Sequence, residues 1–477
     1  MRDSRHLAVS RAAAALLLCA ACHTPPEMPE AVAPELPDTW RSAETAVTDA
    51  SASIEAAPWW TTFEEPALAQ AVEDALAYNP DLIAAATRVL AAEARMRAVH
   101  GGSLPQVSAG LDAGRARSGF VGFPVPGQDV LFTNSTRFQS LLSVSWEVDL
   151  WGRLGAQTRA AAEEFQATAA DYQAARLSLA GQVAKTWLQW QEARLQLDLA
   201  QEAVELAEAQ RDLVTRRFQN GSATAEMVVE AESGVAVVVA AQLDYELAVQ
   251  NAARALEVLA GRYPTRETDT PLAALPALPP APPAGIPAEI LDRRPDLHAA
   301  AARVEAALAQ ADATRRALYP RLSLTAQGGT LSRQLGDLLD GDYRTWSLGA
   351  GLTAPLFQGG TLRAQADEAA ANARAAEIAF AGRLLEACAE VEAGLDTEAR
   401  VRARLAELEH VEVQAVRALS LSEDRFARGV GDPVAVYRAR EDARQARQRL
   451  LSARVLLLLN RIDLHLALGG GFVAPQS

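Results

Sequence analysis

The chain has 477 residues, with 60 acidic against 45 basic side chains, a formal net charge of −15, 22% charged residues and 5% aromatic residues. That composition belongs to a folded protein and excludes a disordered chain. The acidic balance argues against nucleic acid as a partner.

At the N-terminus, Arg2, Arg5 and Arg11 precede an apolar run from Ala12 to Ala21, which has the charge order of a secretory signal and is too short to span a membrane as a helix. Residues 1–21 are therefore expected to be removed. The stretch LLLCAAC ends at Cys22 after Ala20 and Ala21 and resembles the lipobox of bacterial lipoproteins, which implies an acylated Cys22 as the new first residue. Cys19 stands where such a box usually has leucine, so a plain cleavage site with an incidental cysteine stays open. His23, in place of the aspartate that retains such lipoproteins at the inner membrane, permits sorting to the outer membrane. Residues 22–57 then form a lipid-anchored extension, and Cys388, inside the helical RLLEACAEVEAGL, is left as a buried apolar thiol with no partner for an intramolecular disulfide.

The body repeats itself. NPDL with Pro80 and LPQVS with Pro105 recur at one common offset as RPDL with Pro295 and YPRLS with Pro320. RFQNG (217–221) recurs at a shorter offset as RFARG (425–429), so the first copy is the longer, and the Gly- and Pro-rich stretch 119–136 reads as a surface loop that carries the extra residues. A Pro-rich extended linker, 268–286, separates a first repeat (58–267) from a second (287–471), with a tail at 472–477.

Each copy opens with an Ala-rich helical pattern, Glu64 to about His100 and Ala288 to about Leu318, with a kink or short break expected at Pro80. After Pro105 the period becomes two. Val107, Ala109, Leu111 and Ala113 alternate with Ser108, Gly110, Asp112 and Gly114; Phe138, Leu142, Val144, Trp146 and Val148 alternate with Gln139, Ser143, Ser145, Glu147 and Asp149. The second copy does the same with Leu322, Leu324 and Ala326, then Trp346, Leu348, Ala350, Leu352 and Ala354, which predicts β-hairpins at about 106–150 and 321–356. Helix resumes from Gly152 to Phe218 and from Gly359 to Phe426, with Gly155 and Gly181 as the weak points of the first, and spans roughly 100 Å at the rise of an α-helix. Gly221 and Gly429 follow as turns, each leading into a further helix that ends near Gly261 and at LHLALGGGF. Leu195, Leu199, Leu206 and Leu213 among Ala, Glu, Gln and Arg suit antiparallel coiled coil.

Strands that alternate apolar with small polar residues are those of a membrane β-barrel, and a small soluble β-domain on a coiled coil is the other reading of the same pattern. An open four-stranded sheet cannot cross lipid, because its edges leave backbone groups unpaired, and a closed barrel needs about eight strands or more. The barrel reading therefore requires several chains.

The order PWWTTFEEPALAQAVEDALAYNPDL, EVDLWGRL, the twin RFxxG turns, LDRRPDL with YPRLSL, TAPLFQGGTLRAQ and LALGGG resembles the outer-membrane efflux protein family of TolC-like channels, in its lipoprotein branch. The resemblance implies a mainly α fold with a membrane β-barrel portion: a homotrimer whose twelve strands cross the outer membrane above a periplasmic tube of coiled-coil helices. It implies the exit duct of a tripartite multidrug efflux system, passively exporting small molecules, with a periplasmic adaptor (membrane fusion) protein, an inner-membrane RND-type transporter and outer-membrane lipid as partners. A type I secretion channel and a periplasmic coiled-coil adaptor lipoprotein are the alternatives; an adaptor would carry one helical hairpin, and this chain has two.

Motifs for chemistry are missing from the sequence. Once residues 1–21 and with them Cys19 are removed, it has no HExxH, CxxC, GxxxxGK or GxSxG, and Glu163 with Glu164, like Glu386 with Glu390, read as solvated helix faces, so no enzyme activity, cofactor or metal is expected. In the family the helix turns close the periplasmic end, and an aspartate in an LLDAQ-like stretch lines the constriction. Here VYRAR puts Arg438 at that position. Asp432 and Glu226 are the substitute carboxylates, as a ring about the axis or in salt bridges with Arg425, Arg428 and Arg438; ordinary exposed turn charges fit the same residues.

Overall fold

The computed structural model describes residues 34, 36–42, 58–125, 128–265 and 274–471. Cys22, most of the 22–57 extension and the 472–477 tail lie outside the described residues.

One element order occurs twice. Helices α1 (Pro66–Tyr78) and α2 (Pro80–Gly101) lead to strands β1 (Gln106–Val125) and β2 (Gln128–Val148), then helices α3 (Arg153–Gln219) and α4 (Ala225–Leu259). The short helix α5 (Ile290–Arg293) and α6 (Pro295–Arg316) lead to β3 (Arg321–Ser332) and β4 (Arg344–Thr353), then α7 (Thr361–Ala427) and α8 (Pro433–Ala467). Corresponding helices match in length: 22 residues for α2 and α6, 67 for α3 and α7, 35 for α4 and α8.

Pro80 makes a full break. A residue before proline is pushed out of the α region, and Asn79 sits in extended backbone at φ −64°, ψ 123°. Its side chain completes the junction: Oδ1 accepts from the Leu82 amide at 3.0 Å, and Nδ2 donates to the Leu259 carbonyl at 2.9 Å. In the second copy Arg294, at φ −99°, ψ 117°, holds the same place before Pro295.

Two local expectations change. Gly181 does not interrupt α3; a side chain there would collide with Leu466 of α8, so the glycine lets two helices approach closely. The stretch 119–136 is not a loop either. Strands β1 and β2 pair as far as Val121↔Val130 and again at Val125↔Gln128, with a register shift between. The irregularity absorbs Gly122 and Pro124, while the β-branched and aromatic residues around them favour extended backbone.

The described residues form two compact units, one of residues 90–167 and 300–380, the other of residues 34–89, 168–299 and 381–471. In the first unit the four strands make one antiparallel sheet in the order β1-β2-β3-β4. Its register aligns the apolar residues. Val107 faces Val144, Val144 faces Ala326 and Ala326 faces Leu348; Ala109, Leu142, Gly328 and Trp346 form the adjacent row. The opposite face carries Ser108, Gly110, Asp112, Gln139, Ser143, Ser145, Glu147, Ser323, Thr325, Gln327, Ser347 and Gly349.

The second unit has a buried core. Trp59, Phe63, Leu68, Val72, Val183, Trp187, Leu188, Trp190 and Ile462 form one cluster; Trp40, Ile290, Leu297, Leu384, Val391, Leu395 and Leu464 form another. Trp40 ties part of the N-terminal extension to this core by donating from Nε1 to the Ala284 carbonyl at 3.1 Å. The amides of Arg41 and Ser42 donate to the two carboxylate oxygens of Glu392 at 2.7 and 2.9 Å. Burial pushes that carboxyl up, but the donors from Ser42 and Arg41 hold it below the usual carboxylate range.

Candidate channel constriction

Both helix turns close in the same way. Gly221 and Gly429 take left-handed backbone at φ 75° and 77°, which a Cβ disfavours. The next amide donates back to the carbonyl five residues earlier: Ser222 to Arg217 at 2.8 Å and Val430 to Arg425 at 3.1 Å. The following helices are capped by side chains: Thr224 accepts from the Met227 amide at 3.3 Å, and Asp432 from the Val434 amide at 3.1 Å.

Asp432 is therefore a cap first. Its carboxylate also lies 3.3 Å from the Arg217 guanidinium, which joins the start of α8 to the last turn of α3. Arg425, Arg428 and Arg438 are exposed and pair with no carboxylate among the described residues; Glu226 is exposed in the first turn of α4. Arg440 meets Glu423 at 2.8 Å across the second turn. Arg217 was not singled out by the sequence, although it is the arginine of RFQNG itself.

A second charge cluster lies around the junction at Pro295. Arg294, with a side chain 6% exposed, reaches Asp296 at 2.8 Å, Glu390 at 2.6 Å and the Ala467 carbonyl at 3.1 Å. Arg383 bridges Asp296 at 2.8 Å and Glu386 at 3.0 Å. Glu390 is thus not simply solvated, because helix packing brings the buried Arg294 to it, whereas Glu386, exposed and paired with Arg383 on its own helix, keeps the character of a solvated face. Burial would raise the Asp296 carboxyl, but Arg294 and then Arg383 hold it below its usual range. Its signal in the sequence was the arginine before proline in LDRRPDL. A groove of about 960 Å³ runs beside this cluster, lined among others by Lys185, Arg294, Asp296, Asn460 and Asp463.

Deeper in α8, Arg461 is fully buried and pairs with Glu398; burial pushes its guanidinium down. One turn on, His465 stacks on Trp59 with centroids 5.5 Å apart. Burial, and then the charge of Arg461, pushes its imidazole down to about 4. No group of three or more His, Cys, Asp or Glu residues is placed to hold a metal among the described residues. Cys388 is half-buried, and burial raises its thiol.

No helix is long and apolar enough to cross a membrane among the described residues. The family model described as "Outer membrane efflux protein" matches residues 71–262 and 286–470. The pyoverdine export outer membrane protein OpmQ of Pseudomonas putida is 34% identical over 99% of this chain and 98% of its own length. The toluene efflux pump outer membrane protein TtgF of Pseudomonas putida is 30% identical over 87% of this chain and 85% of its own. Among solved structures, the outer-membrane channel OprN superposes with a TM-score of 0.83 at 26% identity, covering 93% of this chain and 99% of that one. The open state of the Neisseria gonorrhoeae MtrE channel gives 0.77 at 25% identity, over 94% of this chain and 98% of that one. A mainly helical chain with a four-stranded, one-sided apolar sheet and matches over nearly its whole length belongs to the outer membrane efflux protein family and is an efflux channel.

Proposed function

We propose that three copies of the chain close a twelve-stranded barrel that serves as the passive exit duct of a tripartite efflux system. The observation that carries this reading is the sheet. Strands β1 and β4 are free edges, β4 is exposed along its whole length, and all four strands place most of their apolar residues on one face, Leu141 and Leu331 being on the other. Lipid tolerates no unpaired edge, so β4 of one copy joins β1 of the next until the ring closes. The face of Ser, Thr, Gln and Gly then lines water.

The helices make the periplasmic portion, which engages a periplasmic adaptor and an inner-membrane RND-type transporter. Names such as pyoverdine export, toluene efflux and antibiotic efflux among relatives support small molecules as cargo. A duct needs no catalytic group, cofactor or metal. Residues 58–267 and 287–471 act as duplicated halves, which the two segments of the family match support. Cys22, once acylated, adds a lipid anchor beside the barrel. At the periplasmic tips Asp432, held by Arg217, and the exposed Arg425, Arg428 and Arg438 set the charge of the constriction, with Glu226 on the first tip.

Electrophoresis of the detergent-extracted protein with and without heating tests the assembly, and planar-bilayer recording tests the duct. A heat-sensitive trimer that conducts ions is expected. A monomer that conducts nothing would overturn the reading.

A further inference from the structure

The outward face of the sheet changes character at one end. From Val148 to Phe138, strand β2 advances about 25 Å along the membrane normal at barrel rise and tilt, which is the height of a barrel's lipid-facing band. Beyond Phe138 the β1–β2 ribbon continues without a third strand, because β3 pairs with β2 over Phe138–Val148. On that same outward face the register Ala113↔Phe138 is followed by Arg115↔Thr136 and Arg117↔Asn134. Both arginines are exposed, and neither has a carboxylate partner among the described residues. They are the charged residues on the outward face of β1 between Val107 and Arg117, in a chain with 60 acidic side chains. The Arg117 guanidinium lies 4.2 Å above the Phe132 ring, a stacking that fixes its plane and leaves its N–H edge free.

The end of the sheet near Gln106 and Val148 is the end that leads to the helices, so the arginine end faces the cell surface if the helices are periplasmic. We infer that Arg115 and Arg117 form a binding site for the phosphate groups of the glycolipid in the outer leaflet, at the level where apolar belt gives way to headgroups. This rests on the barrel reading above. The chemistry fits: two guanidinium forks, two residues apart on one face, offer paired N–H donors to phosphate oxygens. Arg344, across from Thr330 on the same face, follows the acidic turn of Asp337, Asp340 and Asp342 and is not part of the site. Arg137, opposite Gly114, points to the other face and serves as a control.

The test uses the full-length protein purified in detergent and native mass spectrometry with added bisphosphorylated lipid A, dephosphorylated lipid A or phosphatidylglycerol. The wild-type trimer is expected to retain bisphosphorylated lipid A, and R115Q/R117Q to bind it roughly 30-fold more weakly while keeping the heat-sensitive trimer. Arg137→Gln should bind as the wild type does. Equal retention by the double variant, or equal retention of dephosphorylated lipid A by the wild type, would overturn the site. Phosphatidylglycerol held as tightly would overturn the choice of glycolipid. A wild type that forms no trimer would overturn the barrel reading and this inference with it, and the heated gel reports that separately from lipid binding.

Discussion

The two compact units treat the same residue types in opposite ways. In the helical unit Trp59 and Trp187 are 4% and 2% exposed, whereas Trp346 and Leu348 of the sheet are 79% and 76% exposed. Charge follows the reverse rule: the helical unit buries Arg294 and Arg461 against carboxylates, while the apolar face of the sheet carries no charge between Val107 and Ala113. Apolar area left open to water on this scale marks a surface that meets another phase. One unit is built for water and the other for lipid.

The comparison breaks first where charge is buried. Glu398→Ala leaves Arg461 enclosed without its partner and should cost about 3–5 kcal/mol, read as a lower urea midpoint of the helical signal. Replacing both residues by apolar ones, Glu398→Leu with Arg461→Met, should recover most of that loss; a double variant as unstable as the single would show that the pair is not the unit of stability.

The sheet gives the next largest effect. Leu348→Arg places charge in the lipid-facing belt and should cost about 2–4 kcal/mol, seen as loss of the heat-sensitive trimer band from unheated samples. Gln327→Arg, on the other face, should keep the trimer and shift its ion selectivity toward anions. If both variants assemble equally well, the assignment of faces fails.

A pH titration sharpens the helical side. His465 has a folded pKa of about 4 against an ordinary 6.5, so the folded state binds fewer protons between those values. Stability is full above pH 6.5 and falls as pH drops toward 4, by about 3 kcal/mol at most. His465→Phe, which keeps a ring against Trp59, should flatten that window in acid-denaturation curves.

The smallest effects belong to the tips. Asp432→Ala removes the cap of α8 and should cost about 1 kcal/mol, and the exposed pair with Arg217 adds little to that. Single-channel conductance is the sharper readout there: Asp432→Asn and Arg438→Asp should move ion selectivity in the cation-poor and cation-rich directions respectively. Unchanged selectivity in both would remove the tips from the constriction.

Much of this was legible in local sequence. Period-two alternation marked four strands, because each pleat shows alternate side chains to opposite sides. Pro80 and Pro295 marked helix breaks, and Gly221 and Gly429 marked turns, because those residues restrict or free the backbone whatever surrounds them. The stretch 119–136 misled, since Gly and Pro punctuation outweighed the β-branched residues around it. Arg217 with Asp432, and Arg294 with Glu390, were not legible, because their partners are distant in the chain and helix packing alone brings them together.

The sequence by itself determined the kind of most elements and the length of the long helices, though not the reach of β1 and β2, since period, proline and glycine act within a few residues. Only the tertiary structure decided register and partnership. A strand's alternation says that it has an apolar face, but a slip of one residue would turn that face over. It took the pairing of Val107 with Val144, Ala326 and Leu348 to put four apolar rows on one side, and so to make a wall for lipid.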